Sequence, residues 1–255
     1  MHTKKEILES YKSHGGNIEA FANAMATIEG IDASSGRDYL VVHLQRYLSS
    51  FEMLPDLPAG AGCLDIGVSP FSRGLQVMFG LKVSCLDHHA LWATACRTAT
   101  PPIDLEIGDL NNLVNHSPPT TIGKGNYQLI TFLEVIEHLG IPPVEVLRFL
   151  HHQLAPGGYL LLGTPNLVRL MSRIRFLMGN PPIKPLRRYG EGSLSHVREY
   201  TMSEINEAVQ EAGFTVERAR YSTAPSRTIK GRIYDAMAAL HPSFGGCIEV
   251  LARRN

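Results

Sequence analysis

Four short apolar runs in this chain end on or just before an acidic residue, and that recurrence constrains the fold more than any other feature. Cys63-Leu64-Asp65-Ile66 precedes Gly67, a run over 82–86 stops at Asp87, a run over 103–107 leads into Gly108-Asp109, and the strongly apolar 127–133 leads into Glu134. Segments 72–79, 90–99 and 144–154 place apolar residues at helical spacing. Further strands are expected over 159–163, 214–221 and 247–252, with a helix over 202–212 behind Thr201 or Ser203 as its cap. Strands alternating with helices predict an α/β, doubly wound, Rossmann-like fold: a mostly parallel seven-stranded sheet with helices on both faces. Ligands of such sheets bind beyond the carboxyl ends of the strands, where strand order reverses. Asp65, Asp87, Asp109 and Glu134 therefore share one rim.

Ahead of this pattern, residues 1–58 read as an N-terminal helical cap, its last helix carrying Leu40, Val41, Leu44, Tyr47, Leu48 and Phe51. Pro55 and Pro58 then punctuate the chain, and the main domain is expected over 59–255. The apolar share of 44% is enough to build a core and argues against disorder. A formal net charge of zero gives no support to a general phosphate-neutralising nucleic-acid binder, so nucleic acid is not the expected partner. The four cysteines form no CxxC pair, which points to a reducing, cytoplasmic setting without a zinc ribbon. No signal peptide and no membrane span are expected, for want of the necessary apolar stretches.

Gly67 after the first strand lets the backbone turn tightly against a ligand. Asp87, about 20 residues on, stands where a carboxylate takes ribose hydroxyls in nucleotide-binding sheets. In Gly108-Asp109-Leu110 an acid can bond an adenine amino group while the leucine covers the ring; a helix cap is the competing reading. Two later motifs, Leu133-Glu134-Val135-Ile136-Glu137-His138-Leu139 and Leu154-Ala155-Pro156-Gly157-Gly158-Tyr159-Leu160, decide between such readings. With Gly163-Thr164-Pro165-Asn166 and His196-Val197-Arg198-Glu199-Tyr200-Thr201, they give a chain that resembles the class I S-adenosylmethionine-dependent methyltransferases. It is most similar to the branch of ubiquinone-biosynthesis O-methyltransferases and glycan or natural-product methyltransferases, over roughly 60–254.

The resemblance implies S-adenosylmethionine as cofactor. It implies that Asp65 and Gly67, with Ser69 as a small substitute, belong to the loop around its methionine part, that Asp87 binds the ribose, and that Asp109 and Leu110 hold the adenine; His88, next after the ribose acid, can edge the adenine. Glu134 is implied to lie beside the sulfonium. The family usually carries Gly-x-Gly-x-Gly where this chain has Gly67-Val68-Ser69-Pro70-Phe71. Proline removes an amide donor and stiffens the loop, so weakened cofactor binding or another loop path is expected.

Glu134, Glu137 and His138 fall at i, i+3 and i+4, on one face if a helix starts at Glu134, and His196 can fold back over the same rim. Two carboxylates and two imidazoles make a candidate site for Mg, Mn or Zn, and the set resembles the metal site of small-RNA 3′-terminal 2′-O-methyltransferases. The rival reading makes His138 or His196 a general base, with Glu134 at the reacting centre.

Residues 166–195 form a candidate lid insertion whose arginines and lysine can grip an anionic group on the acceptor. Arg37, Tyr39 and His43 are cap residues that can face the cleft. The expected function is O-methylation of a small molecule or glycan, with a metal-dependent RNA 2′-O-methyltransferase and a non-catalytic partner protein as alternatives.

Overall fold

The structure, a computed structural model, describes residues 36–90, 96–97, 101–115, 125–183, 188–189, 193–223 and 229–255. The expected helices over 1–35, most of 90–99, and Lys184, Arg187 and Arg227 lie outside the described residues. Helix α1 (Gly36–Met53) leads into strand β1 (Gly62–Ile66), helix α2 (Pro70–Val77) and strand β2 (Lys82–Asp87). Strands β3 (Asp104–Ile107) and β4 (Tyr127–Leu133) follow, then helix α3 (Pro143–Gln153) and strand β5 (Leu154–Pro165). The chain closes with α4 (Leu170–Leu177), α5 (Met202–Glu211), β6 (Phe214–Ser222), α6 (Ile229–Ala238) and β7 (Cys247–Arg254). A two-stranded ribbon of Arg188–Tyr189 with Ser193–Leu194 stands apart from the sheet.

The seven sheet strands lie in the order β3-β2-β1-β4-β5-β7-β6. The first four pairings are parallel, but β7 runs antiparallel to both β5 and β6, so the sheet is mixed. The chain passes from β6 through α6 and a 3₁₀ turn at Pro242–Phe244 into β7, which inserts between β5 and β6. Chain direction across the sheet reverses between β1 and β4, which opens a crevice at their carboxyl ends.

Both faces of the sheet are buried, and the strand period of two sorts its side chains between them. Cys63, Val83, Leu129, Leu161 and Leu251 pack under α1 and α2 with Tyr47, Phe51, Phe71 and Leu75. Leu64, Ile130, Phe132, Leu160 and Val250 pack on the other side with Leu147 and Leu150 of α3 and Ile205 and Val209 of α5. Helix α1 is thus one of the sheet's covering layers. It is pinned by Glu249 of β7, which is 1% exposed and accepts hydrogen bonds from Ser49 Oγ (2.6 Å), Ser50 Oγ (2.8 Å) and Arg220 Nε (3.0 Å).

The Pro70-Phe71 departure finds its explanation in this packing. Pro70 is the first residue of α2, where its missing N–H is one the helix would leave unpaired anyway and its fixed φ suits the turn. Phe71 points into the core and stacks on Phe51, with ring centroids 4.5 Å apart and planes 13° off parallel. Pro70 thus begins a helix and interrupts none.

Candidate active site

A cleft of about 370 Å³ opens at the carboxyl ends of β1, β2 and β4. Its lining includes Gly67, Asp87, His88, Asp109, Leu110, Glu134 and His138, all singled out from sequence. Ile66, Leu86, Val135 and Leu139 complete its apolar walls.

Gly67 has φ +85, and a Cβ there would stand 3.2 Å from Val135 Cγ2, so glycine alone keeps this corner open. Asp87, at the end of β2, is held in place by two backbone amides. Val68 N donates to its Oδ2 at 2.8 Å and His89 N to its Oδ1 at 2.9 Å. Asp109 accepts at Oδ1 from the backbone and side-chain nitrogens of Asn111, both at 2.9 Å, and Asn111 in turn accepts from Gly140 N. Leu110 is buried beside it.

Four of the sequence candidates are not among the cleft's lining residues: Asp65 and Ser69 of the cofactor set, and Glu137 and His196, which lie beside His138. Asp65 is 2% exposed and turns into the α2 face, accepting from Ser72 Oγ (2.6 Å) and Thr131 Oγ1 (2.5 Å). Burial pushes its carboxyl up to about 7, against the two hydrogen bonds and with a further push from the charge of Asp87. Ser69 caps α2: its hydroxyl accepts from Phe71 N, and its own N–H donates to Ser72 Oγ. Both residues shape the loop from behind.

Glu134 departs from the helical face expected for it. It sits at φ +57, and the turn that follows is a single 3₁₀ turn at Ile136–His138. A left-handed residue cannot begin a helix, so the i, i+3, i+4 alignment is lost. Its carboxylate instead meets Arg46 Nη1 of α1 at 2.7 Å. Burial raises the Glu134 pKa, opposed by Arg46.

Glu137, His138 and His196 do converge: one ligand atom from each lies within 4.8 Å of the others. The two imidazoles meet edge to face with centroids 5.0 Å apart. Glu137 is fully buried, accepts from Thr164 Oγ1 at 3.0 Å, and its Oε1 has no hydrogen-bond partner among the described residues. Burial, together with the nearby Glu134, pushes its carboxyl well above the usual range.

Sequence reasoning assigned no role to Glu199 or Arg46, and took Arg169 only as one of the lid arginines that can grip an anionic acceptor. Glu199 Oε1 lies 2.8 Å from His196 Nδ1, and Arg169 pairs with the same carboxylate. Burial acts to raise the Glu199 pKa, but the hydrogen bonds from His196 and Arg169 hold it below its ordinary value. The i, i+3 spacing of His196 and Glu199 was the available signal. His43, a cap candidate, is lowered to about 4 by burial and by Arg46. The side chains of Arg37 and Tyr39 lie outside the described residues.

The profile of a methyltransferase domain family matches residues 13–219. A probable S-adenosylmethionine-dependent methyltransferase of Mycolicibacterium smegmatis is 26% identical over 175 residues; the match covers 68% of this chain and 59% of that protein's length. Among solved structures, an S-adenosylmethionine-dependent methyltransferase of Mesorhizobium loti superposes with a TM-score of 0.61 at 19% identity, covering 82% of this chain and 98% of that one. The methyltransferase bound to the Trm112 methyltransferase activator of Haloferax volcanii gives 0.60 at 15% identity, covering 93% and 97%. At such identities these two structures speak for the fold.

Proposed function

The chain belongs to the methyltransferase domain family, and from that premise we propose that it moves a methyl group from S-adenosylmethionine to a hydroxyl of a small molecule or glycan, an imidazole of the His138–His196 pair taking the proton. The donor set fits the cofactor. The glycine corner at Gly67 admits close backbone approach, Asp87 offers a carboxylate for the ribose hydroxyls, and Asp109 with Leu110 offers an acceptor beside an apolar wall for the adenine. When bound, S-adenosylmethionine supplies a methyl group already activated by the sulfonium charge. The chain's own work is to orient the acceptor, exclude water and remove a proton.

The observation that carries the hydroxyl reading is the Glu199–His196 contact beside His138. With the proton on Nδ1 donated to Glu199, His196 presents Nε2 as an acceptor, and the carboxylate stabilises the imidazolium that forms. Arginines of the 166–195 insertion would favour an anionic acceptor.

Calorimetric titration with S-adenosylmethionine tests the first half: saturable binding by the wild type, abolished in Asp87→Ala. A folded wild type that binds nothing would sink the proposal and favour a non-catalytic partner role. Initial rates on a panel of phenolic and sugar acceptors test the second. Unchanged rates in both His138→Ala and His196→Ala would remove the base.

A second reading rests on Glu137 Oε1, buried without a hydrogen-bond partner among the described residues and 3.9 Å from His138 Nε2. Glu137, His138 and His196 would then hold a Mg, Mn or Zn ion that lowers the pKa of the acceptor hydroxyl. Methylation lost on chelation and restored by added metal favours this reading, and chelator-sensitive methylation of short RNA ends would shift the acceptor to a ribose 2′-hydroxyl.

A further inference from the structure

Arg169 belongs to the insertion whose cations the sequence offers to an anionic acceptor, yet its guanidinium turns inward. It stands directly before α4. Its Nη2 lies 3.2 Å from Glu199 Oε1, its Nη1 pairs with Glu199 Oε2, and Nη1 also donates to the Asn166 carbonyl at 2.9 Å. The Arg169 side chain is 25% exposed and that of Glu199 only 3%. A grip on the acceptor would take this cation away from a buried carboxylate, which is costly.

The groups around the pair are themselves fixed. Asn166 is fully buried, and its side-chain amide donates to the carbonyls of Ser243 (2.9 Å) and Gly245 (2.8 Å) in the turn before β7. Leu167 N donates to Tyr200 O at 2.9 Å, which ties the start of α4 to the segment that carries His196 and Glu199. Within that segment Glu199 Oε1 lies 2.8 Å from His196 Nδ1. The terminal torsion of a glutamate is broad, so a carboxylate held at one oxygen can turn. A guanidinium that meets both oxygens holds the group in one plane. Which ring nitrogen of an imidazole carries the proton is set by the partner of the other.

We propose that Arg169 is a positioning residue for methyl transfer: through Glu199 it holds His196 in the tautomer that offers Nε2 to the acceptor hydroxyl. This rests on the reading of His196 as the base. Because the same guanidinium holds the Asn166 carbonyl, the seating of the first turn of α4 against the 196–200 segment becomes part of the catalytic arrangement.

Two variants of the full chain test this. Arg169→Lys keeps the charge but cannot span both oxygens and the carbonyl, and Arg169→Gln removes the charge as well. Long-range ¹H–¹⁵N correlation spectra in metal-free buffer, at a pH where the imidazole is neutral, report the tautomer without any substrate; His196→Gln assigns the signal. The wild type should show His196 protonated at Nδ1, and both variants should add the Nε2-protonated form. With an acceptor that the wild type methylates, kcat should fall roughly tenfold in Arg169→Lys while the KM values for acceptor and cofactor hold. Calorimetric affinity for S-adenosylmethionine should be unchanged, which also checks the fold of each variant. A single Nδ1-protonated His196 in both variants would overturn the proposal, as would a raised acceptor KM at wild-type kcat, the mark of an arginine that grips the acceptor. His196→Ala separates the two levels: loss of rate there with a wild-type kcat in Arg169→Lys overturns this inference alone, whereas an unchanged rate in His196→Ala overturns the base reading and this inference with it.

Discussion

Replacing Asp65 by asparagine should make this protein more stable at alkaline pH and leave its acid stability nearly unchanged. Asp65 is buried between β1, β4 and α2, where two hydroxyl donors and no cation meet its carboxyl group. Burial lifts its pKa from 3.8 to about 7. The folded state therefore holds this proton more tightly than the unfolded chain does, and ionising the group costs the fold roughly 4 kcal/mol. The sign follows: the contribution is fully present below the unfolded value of 3.8, is lost as pH rises to about 7, and is flat above. Between pH 5 and pH 8 the loss still amounts to roughly 2–3 kcal/mol. Asparagine cannot ionise, and it can accept from one hydroxyl while donating to the other. Urea unfolding of both proteins at several pH values measures the effect, and taking their difference cancels every other titrating group, including the raised Glu134 and Glu137. The offset should move in favour of Asp65→Asn by that amount between pH 5 and 8. Parallel stability curves would refute the assignment of a protonated Asp65.

Four further substitutions separate structural from functional roles. Ser69→Ala should cost about 1 kcal/mol through loss of the α2 cap, with cofactor affinity in calorimetry little changed; a large loss of affinity would make Ser69 a ligand. Gly67→Ala forces a side chain into a left-handed position against Val135 and should cost about 1–2 kcal/mol in thermal unfolding while weakening cofactor binding. Glu249→Ala removes the acceptor of two serine hydroxyls and of Arg220 Nε under α1, while Arg220 keeps Glu52 and Ser49, and should destabilise by about 2 kcal/mol in denaturant unfolding. Glu199→Gln removes the anion beside His196, so the acid limb of the pH–rate profile should move to lower pH; an unmoved limb would separate His196 from proton transfer.

Most of the sheet was legible from residue order, because both of its faces are buried and its strands read as apolar runs with turn residues at their ends. The run 127–133 became β4 without change, and the helices over 144–154 and 202–212 moved by a residue at their ends. The reversed β7 was not legible, since an apolar run carries no mark of its direction. The carboxyl-end rule placed Asp87, Asp109 and Glu134 on the cleft but could not tell that Asp65, within its strand, faces the opposite layer. That follows from the period of two: Asp65 shares its face with Cys63, under α2, while Leu64 and Ile66 take the other.

The site divides along the same line. Local spacing determined which acids and glycine stand at the strand ends, because a strand-to-helix turn is built from consecutive residues. Tertiary contact alone decided the rest. Arg46 reaches Glu134 across 88 positions, Glu249 anchors α1 across about 200, and His138 meets His196 only because the segment after the insertion hangs its amides on the Glu137 carbonyl. Glu134 left the helical face because its backbone turned left-handed, and Pro70 leaves no helical bond unmade because a helix begins there. Such outcomes depend on which partner is nearest once the layers close, and chemistry between residues distant in the chain exists only after that closure.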